Sequence, residues 1–203
     1  MKRKIGNLFL LAGLALLLFV AYTKIKIYYE QQKLMKEFES LDFAASEEDL
    51  ENRTFKDGEM IGQLYIPKID LTTPIVEGAS DENMKSAVTH MTNSSPVSKL
   101  GDKNSNFAIA GHRTATFGKF FNRLDEMEKG DEFYIETPTK KYTFTVIQTQ
   151  IIKPTQVEVI LPVKDKALVT LITCHPIYSN KYRLIVTGEF KEVTKKKKEV
   201  TKN

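Results

Sequence analysis

The chain begins with an uninterrupted apolar run. Residues 5–23 read IGNLFLLAGLALLLFVAYT and contain no charged side chain. A helix rises about 1.5 Å per residue, so a run of this length spans roughly the hydrocarbon core of a bilayer. It is longer than a usual signal-peptide core, and no small-x-small cleavage pattern follows, because Phe19 and Tyr22 flank Val20-Ala21. We therefore predict an uncleaved transmembrane anchor over 5–23 rather than a signal peptide.

The flanking charges predict the orientation of this anchor. Residues 1–4 carry three positive side chains, which the positive-inside rule places in the cytoplasm. Lys24 and Lys26 on the other flank weaken this bias. We expect a single-pass protein of the cell membrane, with residues 1–4 cytoplasmic and the rest of the chain extracellular.

Residues 24–58 are polar and mixed in charge. Ile27, Leu34, Phe38 and Leu41 recur at roughly helical spacing, and a Ser-Glu-Glu-Asp stretch without periodicity follows. The pattern predicts a membrane-proximal helix and then a flexible linker. There are too few heptads to predict a coiled coil.

From residue 59 to 190 the pattern changes to short β-rich runs divided by Gly, Pro, Asn and Asp, which is typical of an antiparallel barrel or sandwich. We predict one all-β domain with strands at 61–66, 73–76, 106–110, 132–136, 141–152, 167–174 and 182–190. Two short helices are predicted between them, one over 81–89 with Asp81 as its cap and one over 117–127. The second has an apolar stripe expected in the core, formed by Phe120, Phe121, Leu124 and Met127.

The net charge of +4 comes from the two ends of the chain. Residues 1–4 carry +3 and residues 191–203 carry +4, which leaves −3 for the rest. The basic balance is therefore no indication of a nucleic-acid surface on the domain. We predict a disordered tail over 191–203; contact of its lysines with anionic lipid or wall polymer is the alternative.

Cys174 is the single cysteine, so no disulfide can form within the chain. Outside the cell, an unpaired thiol is either buried or used as a nucleophile. Thiolate is the reactive form, and nearby positive charge favours it. His112, at the end of an apolar strand, and Arg183, in the strand after Cys174, are the residues that can supply this charge.

The other two histidines are weaker candidates. His90 is expected to be a surface or hydrogen-bonded polar residue, and His175 a loop residue. Because His175 follows Cys174 directly, the two side chains would point to opposite faces of a strand. No pair among Cys174 and the three histidines has the short spacing of metal sites, so we predict neither a metal nor another cofactor.

Three motifs resemble those of the sortase family. Thr170-Leu171-Ile172-Thr173-Cys174 is similar to the sortase TLxTC signature, and Ala110-Gly111-His112 is similar to the family's histidine motif. The strand Arg183-Leu184-Ile185-Val186 matches the position of the essential sortase arginine. The resemblance covers about residues 60 to 190 and is greatest to class A.

The resemblance implies a closed eight-stranded sortase-type β-barrel behind the N-terminal transmembrane helix. It also implies a cysteine transpeptidase of a Gram-positive bacterium that cleaves an LPxTG-like sorting signal between Thr and Gly through a thioacyl-enzyme. Cys174 would be the nucleophile, His112 would protonate the departing amine, and Arg183 would hold the substrate and its oxyanion. An amine of the peptidoglycan precursor, lipid II, would then accept the surface protein.

The resemblance also implies an apolar groove for the Leu-Pro half of the signal. The segment 153–160 is similar to the segment that precedes the variable loop in class A sortases, the loop that grips this half. The expected substrate contacts are Ala110, Pro154, Val157, Val159, Ile160, Ile172 and Thr173. Calcium-regulated class A members place acidic residues before the histidine strand, whereas residues 89–106 offer only Asp102, so no calcium dependence is expected.

Two alternatives stay open. One is a specialised sortase with few substrates, for example in pilus assembly or sporulation. The other is a non-catalytic, membrane-tethered β-domain that binds the cell wall, with Cys174 buried and inert.

Overall fold

The computed structural model describes residues 2–44, 53–113 and 120–196. Within these ranges, one long helix α1 (Lys2–Ala44) precedes eight strands. The strands are β1 (Met60–Ile66), β2 (Leu71–Glu77), β3 (Val88–His90), β4 (Ser105–Ala110), β5 (Glu132–Glu136), β6 (Lys140–Ile152), β7 (Ala167–His175) and β8 (Tyr182–Lys195).

The eight strands close into a barrel in the order β1-β2-β3-β4-β7-β8-β6-β5. The β2–β3 and β4–β7 pairs are parallel and the other pairs are antiparallel. The expected closed all-β barrel is thereby confirmed. Inward-facing aliphatic and aromatic side chains fill it, because alternate residues of each strand point to the same face; they include Leu64, Phe107, Ile109, Phe133, Phe144, Val169 and Leu171.

The first half of α1 has the character of a membrane span. It is long and apolar enough to cross a bilayer, and its described apolar side chains are exposed, Leu10 by 74% and Phe19 by 64%. A helix that is apolar on all sides and covered by no protein is typical of a segment in lipid.

The second half of α1 packs on the barrel. Phe38 is only 2% exposed and forms an apolar cluster with Met60, Val76 and Ala87, with Leu34 and Met35 packed against it. Gln31 also donates a hydrogen bond of 2.8 Å to the carbonyl of Ser86. Contacts at positions 31, 34, 35 and 38 follow one helix face, so the membrane-proximal helix is docked along a stripe of its own surface.

The predicted helix over 81–89 was wrong. Only a 3-10 turn forms, at Asn83–Lys85, and its amide at Asn83 is capped by Ser80 rather than by Asp81. Strand β3 follows, which the sequence prediction missed. Its backbone pairs with β2 on one side and β4 on the other, and these tertiary hydrogen bonds outweigh the local helical pattern.

The second predicted helix, 117–127, is also not an α-helix where it is described. Phe120 has a left-handed φ of 48°, and a single 3-10 turn spans Leu124–Glu126. The apolar stripe is nevertheless buried as expected, with no member more than 5% exposed. Residues 117–119 lie outside the described residues.

The predicted tail begins too early at 191. Strand β8 continues to Lys195, because its backbone pairs with β6 as far as the Lys140–Lys195 register. The predicted disorder of residues 197–203 and the predicted linker over 45–52 lie outside the described residues.

A small ion-pair group closes the turn before β5. Lys68 Nζ lies 2.8 Å from Asp131 Oδ2, and the same oxygen accepts the amide of Glu128 at 2.6 Å. Burial alone would raise the pKa of Asp131, but the hydrogen bonds from Lys68 and Glu128 outweigh it and hold this pKa below its usual range.

Replacing Asp131 by asparagine is expected to lower Tm at neutral pH by roughly 2–4 °C. A carboxylate whose pKa is lowered by folding contributes stability above its unfolded pKa of about 4 and loses it as pH falls through the folded value. The difference in Tm between the wild type and Asp131→Asn should therefore be full at pH 7 and shrink below about pH 4. Calorimetric scans from pH 7 to pH 3 measure it, and a constant difference would contradict the charge-based explanation.

Candidate active site

The histidine candidate lies where β4 leaves the barrel. The Gly111 amide donates to the carbonyl of Ile172 at 3.0 Å and so extends the β4–β7 ladder by one bond. A Cβ on Gly111 would lie 2.7 Å from the Phe121 ring and 3.0 Å from Val88. A larger residue at this position would clash with these side chains, so glycine is favoured. His112 follows at the barrel end, and its carbonyl accepts the amide of Phe121 at 3.2 Å.

The cysteine and arginine candidates are neighbours across two strands. Cys174, near the end of β7, is the register partner of Arg183, near the start of β8. The Cys174 thiol is free and partly exposed. The thiol and the arginine therefore emerge together at the barrel end that also carries His112.

An open cavity joins two of the three candidates. It has a volume of about 450 Å³ and is lined by His112, Arg113, Cys174, Tyr178, Ser179 and Asn180. A partly exposed thiol in an open, polar cavity differs from the small, buried hydrophobe that an inert cysteine would be.

Arg183 does not line this cavity. Its Nη1 donates to the carbonyls of Asn180 at 2.9 Å and Tyr182 at 3.1 Å. These contacts hold the guanidinium against the backbone where the β7–β8 loop ends and β8 begins, beside the cysteine but turned away from the cavity.

Part of the expected groove lies on the face that carries Cys174. Ala110 and Ile172 are register partners on β4 and β7, and both are partly exposed. Ile172 is two residues from Cys174, so their side chains share a face of the sheet. The side chains of Ala110 and Ile172 therefore provide a partly exposed apolar surface next to the Cys174 position.

The 3-10 helix Val157–Ile160 is fixed to the barrel by a buried amide. Asn106 Nδ2 donates to the carbonyls of Val159 at 2.9 Å and Leu161 at 3.2 Å, and its Oδ1 accepts from Thr170 Oγ1 at 2.8 Å. Pro154 and Val157 are exposed, Val159 is partly exposed, and Ile160 is 3% exposed. Ile160 therefore packs as core, while the others are available for contact.

Thr173 is placed differently from the expectation. It is 2% exposed, and its hydroxyl donates to the Gly111 carbonyl at 2.7 Å. Strand alternation turns its side chain away from the face of Cys174. Thr173 thus ties β7 to the histidine segment, with its side chain buried rather than on the face that carries Cys174.

The remaining histidines are both hydrogen-bonded. His90 is 2% exposed, lies 2.9 Å from Glu77 Oε2 and stacks on Phe107, which confirms it as a satisfied polar residue in the interior and not at the surface. His175 is the last residue of β7 and not a loop residue, and its Nδ1 lies 2.9 Å from Arg113 Nη1.

Four cavity residues were not predicted from the sequence: Arg113, Tyr178, Ser179 and Asn180. The last three belong to the loop between β7 and β8. Because Cys174 and Arg183 are cross-strand partners, the short loop that joins their strands must lie beside them, and this spacing could have indicated it. Arg113 could have been indicated only by its position next to His112.

Comparison with known proteins agrees with this geometry. The sequence pattern of the Sortase domain family matches residues 64–191. The chain is 30% identical over 206 residues to Sortase SrtE1 of Streptomyces coelicolor, which covers 94% of this chain and 57% of that protein. It is 28% identical over 141 residues to Sortase A of Listeria monocytogenes, which covers 70% of this chain and 61% of that protein.

A solved structure shares the fold. The Sortase D5 transpeptidase of Clostridium perfringens superposes with a TM-score of 0.69 at 27% identity, over 81% of this chain and 99% of that chain. The chain spans about three fifths of the length of the two curated relatives. The closed eight-stranded barrel and the match of the family pattern to residues 64–191 agree, and the chain belongs to the sortase family.

The greater resemblance to class A is not confirmed. The related proteins include Sortase SrtE1, Sortase A and Sortase D, and the similar structures include Sortase D5 and Sortase C. Because these related proteins and structures belong to several sortase classes, the family resemblance does not assign the chain to one class.

Proposed function

We propose that this protein is a membrane-anchored sortase that cleaves an LPxTG-like sorting signal between Thr and Gly and joins the surface protein to a peptidoglycan precursor. The observation that carries the proposal is the cavity shared by His112 and Cys174, with Arg183 as the cross-strand partner of the cysteine. A nucleophile, a proton carrier and a permanent cation at one end of a rigid barrel are the groups that acyl transfer needs.

In the first half of the reaction, the proton of the Cys174 thiol is held by His112, and the thiolate Sγ attacks the carbonyl carbon of the signal's threonine. The oxygen becomes an oxyanion, and Arg183 stabilises it once its guanidinium turns from the loop carbonyls to the substrate. The C–N bond then breaks, and the departing glycine amine takes a proton from His112. The product is a thioester between Cys174 and the threonine.

In the second half, an amine of lipid II attacks the thioester. The amine loses a proton to His112, the new amide forms, and Cys174 leaves as the thiolate. Each group returns to its starting state, so the two halves give ping-pong kinetics.

The apolar side chains near Cys174 suit the Leu-Pro half of the signal. Ala110 and Ile172 provide a floor beside the thiol, and Pro154, Val157 and Val159 provide apolar surface on the neighbouring segment. We include these five residues in the proposed groove and leave out Thr173 and Ile160, which are buried.

The proposed location follows from α1. Its apolar half would cross the membrane of a Gram-positive bacterium, with residues 1–4 in the cytoplasm and the barrel outside. The acceptor, lipid II, would then be anchored in the same membrane.

An assay with peptides and an amine tests the proposal. Purified protein is incubated with a panel of sorting-signal peptides that vary the third position, in the presence of a glycine-containing amine. We expect a new amide between threonine and the amine, detected by mass spectrometry, and a hydroxamate when hydroxylamine replaces the amine. If no peptide of the panel is turned over and an alkylating reagent fails to label Cys174 in the folded protein, the non-catalytic alternative is correct. Turnover restricted to a few unusual peptides would indicate a specialised sortase.

A further inference from the structure

Arg113 is a buried arginine in the wall of the candidate active site. It follows His112 directly and lines the same cavity as Cys174. Its side chain is only 6% exposed. A fully charged side chain at this depth is unusual unless its partners hold it there.

The two ends of the guanidinium contact two different segments. Nη2 lies 2.7 Å from Asp125 Oδ2, in the 3-10 turn Leu124–Glu126. Nη1 lies 2.9 Å from His175 Nδ1, at the end of β7. Arginine can only donate, so His175 Nδ1 is the acceptor and the ring carries its proton on Nε2.

These contacts join the two segments that carry the proposed catalytic groups. Arg113 is the next residue after His112, and His175 is the next residue after Cys174. A hydrogen bond between the two neighbours restrains the distance between the histidine and the cysteine. Asp125 holds the guanidinium from the other side, so Arg113 has little freedom to move.

The third donor of the guanidinium, Nε, indicates that Arg113 is not explained by a contribution to stability. Its Nε is buried and has no hydrogen-bond partner within the part of the chain that the structure describes. Leaving a buried N–H unpaired costs free energy, and an apolar side chain would avoid this cost. The position therefore carries a charged donor at some expense to the fold.

We propose that Arg113 is a positioning residue, which holds His112 in place relative to Cys174 through its hydrogen bond to His175. The proposal rests on the proposed function, because it assigns His112 and Cys174 their roles in acyl transfer. It predicts that loss of Arg113 slows the chemical step more than it weakens peptide binding, since misplacement of a catalytic group affects the transition state most.

The test compares four single variants and one double variant with the sorting-signal peptide. Arg113→Met is expected to lower kcat about 10- to 100-fold with KM within about threefold of the wild type. The kcat of Arg113→Lys should lie between those of the wild type and Arg113→Met, because one ammonium group cannot make the contacts to both Asp125 and His175. His175→Leu removes the acceptor and should lower kcat in the same direction as Arg113→Met.

His175→Asn is the matched control, because its Oδ1 can accept near the position of Nδ1, and it should retain most of the activity. In the double variant Arg113→Met/His175→Leu, kcat should fall no more than about threefold below that of Arg113→Met alone, since one interaction cannot be lost twice. Three results would each overturn the proposal. They are a kcat of the double variant that falls by the product of the two single losses, a change in KM with kcat unchanged, and equal losses of kcat in His175→Asn and His175→Leu.

A second readout separates this proposal from the proposed function. The rate at which iodoacetamide alkylates Cys174 is measured against pH, which needs no peptide and no transpeptidation. In Arg113→Met and His175→Leu, the pH dependence of the Cys174 alkylation rate should move to higher pH. In His175→Asn it should stay where it is in the wild type. An unchanged profile in both variants would refute the positioning role even if the enzyme is a sortase. A shifted pH dependence in a protein that cleaves no peptide would contradict only the proposed substrate and not the positioning role of Arg113. If Arg113→Met does not fold, as judged by its Tm, the two His175 variants decide the question.

Discussion

Replacing Cys174 by alanine is expected to lower kcat/KM for the sorting-signal peptide by at least about 10³-fold. Without the sulfur no thioester can form, and neither His112 nor Arg183 offers another route to the same amide. The side chain is partly exposed at a strand end, so its loss should leave the barrel intact and Tm nearly unchanged.

The measurement combines steady-state cleavage with a mass spectrum of the protein after brief incubation with peptide. The wild type should gain the mass of the peptide fragment that ends in threonine, and Cys174→Ala should gain nothing. Ser98→Ala is a matched small substitution, exposed on the 3-10 helix Val97–Lys99 and away from the cavity, and it should keep full activity. If Cys174→Ala cleaves the peptide as fast as the wild type, the nucleophile assignment is wrong.

Replacing His112 by glutamine is expected to lower kcat by about 10² to 10⁴-fold with the normal peptide. The reason is chemical: an amine cannot leave as an anion, and in the proposed mechanism His112 donates the proton that it needs. The loss should therefore depend on the leaving group. A substrate with a thioester in place of the Thr–Gly amide releases a thiolate, which needs no proton, and His112→Gln should process it with a much smaller defect.

Arg183→Met provides the contrast for this experiment. Arg183 would stabilise the oxyanion, which forms with both substrates, so its defect should be similar for the amide and the thioester. Rates of thioacyl-enzyme formation with the two substrates measure both variants. Equal defects of His112→Gln on the amide and the thioester would exclude a proton-donor role and leave His112 as an electrostatic partner of the thiol.

The parts of the fold that follow a local pattern were predicted from the sequence. Strand β5 was predicted with its observed bounds, 132–136, because charged or polar and apolar residues alternate there and glycine and threonine mark its ends. The short strand β3 was missed because its three residues pair with β2 and β4 rather than follow a periodicity of their own. Its helical pattern was a local preference that the sheet overrode.

In the candidate site, too, the features that follow a local sequence pattern were predicted, and those that depend on tertiary contacts were not. His112 and Cys174 could be named from motifs at strand ends, and the structure brings both to one cavity. The bonds that join Arg113 to His175 and Asn106 to Thr170 each connect residues more than sixty positions apart. Such bonds depend on the barrel topology, and no pattern along one strand could have indicated them.

The course of α1 determines how far the barrel can lie from the membrane. Its apolar segment ends near Thr23, and the barrel already holds the helix at Gln31, eight residues later. At about 1.5 Å per residue the free stretch is roughly 12 Å, and it is helical throughout. In the proposed anchored state the barrel therefore does not search the depth of the wall on a loose tether but stays at the lipid surface. Only a surface protein that is still at the membrane, and an acceptor that is itself carried by a lipid, would meet at that height.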